Sequence, residues 1–141
     1  MSTINHYSDF YNAEKYAKDY DAIISLGRYM PDDCRQGKKY LYLEFEDVTF
    51  NTLNSQDEDA PTAKHIQKLL DFIRSLSPDE RLLVHCFAGY SRSPAAVIIA
   101  KCERDGMDIA SAKENLYNDR IPDKLIPDPN DIMLHQYLMI K

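Results

Sequence analysis

The 141 residues carry 17 lysines and arginines against 23 aspartates and glutamates, a net charge of −6, with 44% hydrophobic and 28% charged residues. This is the composition of an ordinary globular protein. Its acidic surface repels nucleic acid and anionic lipid at long range, so neither is expected as a partner. No apolar run approaches the ~20 residues that span a bilayer, and residues 1–7 show neither the basic nor the apolar part of a secretory signal. Three cysteines without metal-type spacing argue against a disulfide framework or a metal site. The expectation is a reduced, intracellular chain, with the cytoplasm as default and one domain over residues 1–141. The sequence says nothing about oligomeric state.

In chain order, residues 9–18 read as a short helix. Ala22-Ile23-Ile24-Ser25-Leu26 is an apolar run stopped by Gly27, the pattern of a buried strand. Pro31-Asp32-Asp33 and Gln36-Gly37 are turn chemistry. Residues 40–45 are aromatic and partly alternating, hence strand-like; residues 50–60 are polar, acidic and aperiodic, hence a loop. Pro61 suits the first turn of a helix. On that helix Ile66, Leu69, Leu70, Ile73 and Leu76 recur at helical spacing until Pro78 ends the pattern. Residues 81–85 form a third strand. Pro94 opens a helix to about residue 104, buried on most sides by its apolar run 95–100, and Gly106 closes it. Asp108 can cap a helix reaching residue 118, and Asn130 or Asp131 can cap a last one carrying Met133, Leu134, Tyr137, Leu138 and Ile140. Strands alternating with helices imply an α/β fold: a central, mostly parallel sheet of about four to five strands flanked by helices. Ligands in such sheets bind beyond the carboxyl ends of the strands.

The segment His85-Cys86-Phe87-Ala88-Gly89-Tyr90-Ser91-Arg92-Ser93 sits at such an end, between a strand pattern and a helix pattern. A strand-to-helix turn aims backbone N–H groups at one point, and the helix N-terminus adds positive potential. That cradle, residues 87–92, suits a phosphate dianion. Cys86 at its base would be the nucleophile, since the thiolate is the reactive form of cysteine. Arg92 would grip two phosphoryl oxygens in a fork that lysine cannot supply. Gly89 permits backbone angles other residues resist. Ser93 can hydrogen-bond the Cys86 sulfur and stabilise it as a leaving group, and His85 would support the loop rather than act as a base. No metal or other cofactor is needed, because the loop and Arg92 supply the electrostatic stabilisation.

These residues, from Val84-His85-Cys86 through Gly89-Tyr90-Ser91-Arg92-Ser93-Pro94, resemble the active-site loop of the cysteine-dependent protein tyrosine phosphatase superfamily. The resemblance is to its compact dual-specificity type. The segment Asp128-Pro129-Asn130-Asp131 is similar to that family's closing Pro-Asn segment, with Asn130 in a supporting role. The resemblance implies phosphotyrosine, with phosphoserine and phosphothreonine as further candidates, in a protein or peptide as substrate, hydrolysed through a phosphocysteine. It also implies a general acid, an Asp on a loop entering the site. Asp47 fits that position after the second strand pattern; Asp57 and Asp59, nearer the next helix, are rivals, Asp59 having a helix cap as its ordinary explanation. Arg120 has a counterpart that supports the loop in similar proteins, and Cys34 or Cys102 could pair with Cys86 under oxidation. The acidic loops suggest substrates with basic flanks. Inositol lipids, RNA 5′ phosphates or mere phosphoresidue binding are the alternatives. The uncharged Phe87, Ala88, Tyr90 and Ser91 speak against the first, and the intact Cys86 and Arg92 against the last.

Overall fold

The computed structural model describes residues 5–27, 38–53, 59–118 and 126–141. Among these residues four strands, β1 (Asn5–Ser8), β2 (Ala22–Leu26), β3 (Lys39–Leu43) and β4 (Leu82–His85), form one sheet in the order β1-β4-β2-β3. Every pairing is parallel. Among the described residues the helices are α1 (Phe10–Ala17), α2 (Ala63–Arg74), α3 (Arg92–Asp105), α4 (Ile109–Asn118) and α5 (Asp131–Ile140). None of them is long and apolar enough to cross a membrane.

The strand order fixes where the helices go. From β1 to β2 the chain steps over β4 in one direction; from β3 to β4 it returns in the other. Both crossovers can be right-handed only if α1 and α2 lie on opposite faces. They do: Ala13 and Ala17 of α1 pack on Ile23 and Leu83, while α2 joins α3, α4 and α5 in the larger core on the other face. On α2 the spacing of Ile66, Leu69, Leu70 and Ile73 puts all four in that core, each worth roughly 2 kcal/mol of burial. Helix α3 runs through the middle, and residues 92–102 are all buried, as its apolar run required.

The structure departs from the sequence reading in three places. The β1 strand, Asn5-His6-Tyr7-Ser8, has no apolar alternation to announce it; it exists because it pairs residue for residue with β4. Pro61 precedes α2 rather than opening it. Thr62 is the cap, accepting from the His65 N–H while the His65 ring accepts from the Thr62 N–H. That reciprocal box also removes the capping role considered for Asp59. Finally, α3 starts at Arg92, with Pro94 as its third residue. A proline fits there because the first-turn N–H groups have no partner within the helix.

Candidate active site

The carboxyl ends of the two central strands, β4 and β2, meet at the site. In register, Ser8, His85 and Ser25 lie side by side across β1, β4 and β2, and Cys86 is the first residue beyond β4. The chain then turns into α3. The cysteine is 2% exposed; the Gly89 N–H donates to its sulfur at 3.2 Å, and the Ser93 hydroxyl, which also donates to Ser8 O at 3.4 Å, lies 3.2 Å from it. Gly89 has φ +65°, and a Cβ there would lie 2.6 Å from the Asp9 nitrogen. The loop therefore packs directly on the β1–α1 junction, where Phe10 N–H also donates to Phe87 O at 3.0 Å. Asp9 caps α1 through Asn12 N–H at 2.7 Å, which holds that junction rigid.

Arg92 is 7% exposed, in the first turn of α3. Its Nη1 donates to Phe45 O at 2.7 Å, and Gly27, beyond β2, leaves it room: a Cβ at Gly27 would stand 2.7 Å from Nη1. This bond fixes one end of the guanidinium; among the described residues its other nitrogens make no further hydrogen bond.

Asp47 lies just past β3, and its Oδ1 accepts from Ser91 Oγ at 2.6 Å and from Asn130 Nδ2 at 2.8 Å. Asn130 is 1% exposed; it also donates to Val48 O, caps α5 through Met133 N–H, and gives its backbone N–H to Ser91 O. One asparagine thus joins the 85–93 loop, the Asp47 segment and α5. Asp59 stands apart from this network in its described contacts, its carbonyl accepting from Glu46 N–H. Asp57, Arg120 and Cys34 lie outside the described residues. Cys102 is a buried thiol in the α3 core, its pKa raised by burial.

His85 is fully buried, with Nε2 2.5 Å from Ser25 Oγ. Burial lowers its pKa from 6.5 to about 4, against a smaller upward pull from the Cys86 backbone. The folded ring is therefore neutral and not a proton donor near neutrality. The unfolded chain binds this proton below about pH 6.5 and the folded one only near pH 4. Stability from this group is complete above the higher value and is lost as pH falls through the window, by roughly 3 kcal/mol. Denaturant midpoints at the two ends of the window should fall less in His85→Gln, whose amide can still meet Ser25, than in wild type. Equal falls would mean that other groups carry the acid sensitivity.

Sequence reasoning missed four partners: Ser25 beneath His85, Gly27 and the Phe45 carbonyl around Arg92, and the Ser8–Asp9 backbone beneath Gly89. A glycine closing an apolar strand was visible; its closeness to Arg92 was not.

Cys86 at the turn from β4 into α3, with Arg92 in the first turn of that helix, fits a cysteine-dependent phosphatase. Residues 8–103 match the Tc-R-P family, described as polymorphic toxin system, DSP-PTPase phosphatase, and the chain belongs to that family. Solved structures agree on the fold. The active form of Tk-PTP is 18% identical, with TM-score 0.68, over 95% of this chain and 88% of that one. A variant of human DUSP28 is 18% identical, with TM-score 0.70, over 94% and 86%. DUSP15 is 25% identical, with TM-score 0.65, over 91% and 76%.

Proposed function

We propose that the protein hydrolyses phosphotyrosine in protein substrates, with Cys86 as nucleophile and Asp47 as general acid. The Cys86 sulfur attacks phosphorus while the loop N–H groups of residues 87–92 and the Arg92 guanidinium hold the equatorial oxygens. The ester P–O bond breaks as Asp47 gives its proton to the leaving oxygen. Its Oδ1 is engaged by Ser91 and Asn130, so Oδ2 is the atom to carry that proton. Water then attacks the phosphocysteine, the Asp47 carboxylate takes the water's proton, and the S–P bond breaks. Ser93 Oγ donates to the departing sulfur. The products are the dephosphorylated hydroxyl and inorganic phosphate.

The observation that carries this reading is the pair of bonds that ties Asp47 to the cysteine's own loop and to Asn130. An aryl ester is supported by the aromatic rings beside the nucleophile: Phe87 stacks on Phe10 at 6.1 Å and meets Tyr11 edge-on at 5.8 Å, with Tyr11 74% exposed. The net charge of −6 supports targets with basic residues near the phosphotyrosine.

Turnover of a phosphotyrosine peptide tests the acid. Asp47→Asn should lower kcat by about 10²-fold or more, Asp57→Asn and Asp59→Asn by less than about threefold. A larger loss in either of the latter two moves the acid to that residue.

A further inference from the structure

We propose that the N-terminus of α5 latches the acid segment in its working position, with Asp131 as a positioning residue for Asp47. This rests on Asp47 being the general acid. Beyond Leu43 the chain leaves the sheet, so the ladder that aligns β3 no longer places residues 44–53. Their tip is a closed turn: Leu53 N–H donates to Thr49 O at 2.8 Å, and Thr49 N–H to Thr52 Oγ1 at 2.9 Å. The turn presents Phe50, whose backbone N–H donates to Asp131 Oδ1 at 3.0 Å. The Phe50 ring meets the His135 ring edge-on, centroids 5.4 Å apart and planes at 80°. Asn130 Nδ2 adds Val48 O at 3.0 Å to its bond with Asp47.

Three side chains of α5 and its cap, Asn130, Asp131 and His135, therefore grip residues 47, 48 and 50, while the Asn130 backbone N–H donates to Ser91 O. Asn130 grips the acid itself. Among the described residues Asp131 and His135 have no hydrogen bond to the acid or to the loop of Cys86; their contacts are with Phe50, three residues further along. Their effect on the chemistry comes through placement: proton transfer falls steeply when donor and leaving oxygen are misaligned by a fraction of an ångström.

The test compares kcat on phenyl phosphate, a poor leaving group that needs the proton, with p-nitrophenyl phosphate, which needs it little. Asp131→Ala should lose about tenfold on the first and less than about twofold on the second, with KM unchanged. Asp131→Asn, whose amide oxygen still accepts from Phe50 N–H, should restore both. His135→Ala should shift the same ratio by a smaller factor and serves if Asp131→Ala folds poorly. Equal losses on the two substrates, or none in either variant, overturn the latch. Asp47→Asn run alongside separates the two claims. If it lacks the leaving-group dependence, the acid assignment fails and the latch with it; if it shows the dependence and the α5 variants do not, the latch alone fails.

Discussion

With Cys86 as the proposed nucleophile, Cys86→Ser should abolish turnover of aryl phosphates and phosphotyrosine peptides alike, a loss on the order of 10⁴-fold or more, with little change in Tm. Serine has nearly the shape of cysteine and keeps the same two neighbours, the Gly89 N–H and the Ser93 hydroxyl, each 3.2 Å from the sulfur. The fold therefore has no reason to change. An alkoxide is far harder to form than a thiolate, and His85, buried, neutral and engaged with Ser25, is not placed to assist as a base. Because Arg92 and the loop N–H groups are untouched, the variant still binds phosphopeptide, and calorimetry should give a Kd near the wild-type KM. Ser93→Ala should behave differently: attack proceeds, but the sulfur leaves without its donor. A burst of one leaving group per enzyme followed by slow turnover is the expected trace. Activity in Cys86→Ser within a hundredfold of wild type would place the nucleophile elsewhere.

The second large effect is at Gly89. Gly89→Ala should lower Tm and eliminate activity, whereas Gly106→Ala should cost only about 1 kcal/mol and leave activity intact. Both glycines have left-handed angles, φ +65° and φ +70°, so the intrinsic cost of a side chain is the same. The surroundings differ. At Gly106, the C-cap of α3, a Cβ meets nothing within 4 Å. At Gly89 it would stand 2.6 Å from Asp9 N, 2.8 Å from Ser8 C and 2.9 Å from Asp9 Cα, all backbone of a capped junction that cannot step aside. Relief requires the loop to lift off β1, which withdraws the Gly89 N–H from the Cys86 sulfur. Gly27→Ala strains the backbone as well, because φ +113° is an angle L side chains rarely adopt. Its Cβ meets the end of the flexible Arg92 side chain at 2.7 Å, so stability suffers less than kcat/KM as the guanidinium is pushed from Phe45 O. Thermal melts and kcat/KM for the three variants separate these terms. A Gly89→Ala protein no less stable than Gly106→Ala would show that the contact with the β1–α1 junction is not a constraint.

The sequence by itself determined the parts of this protein that are contiguous. Strand, loop and helix from Leu82 to Asp105 follow one another in the chain. The apolar run before Cys86, the glycine within the loop and the buried run after Pro94 therefore point to a strand-to-helix turn of the kind that can cradle a phosphate. The alternation of strands with helices likewise carried the α/β class. Only the tertiary structure decided what surrounds that cradle. Asp47 reaches Ser91 across 44 residues, Asn130 reaches Asp47 across 83, and Arg92 reaches the Phe45 carbonyl across 47. Whether Asp47 or Asp59 lies near the loop depends on where β3 ends and how the following segment turns, which no local pattern encodes. The short β1 strand has no hydrophobic signature, because it is defined by the hydrogen-bond ladder to β4 rather than by its own side chains. Local backbone geometry is set by neighbours in sequence; the approach of distant side chains is set by sheet order and helix packing, and those are properties of the whole fold.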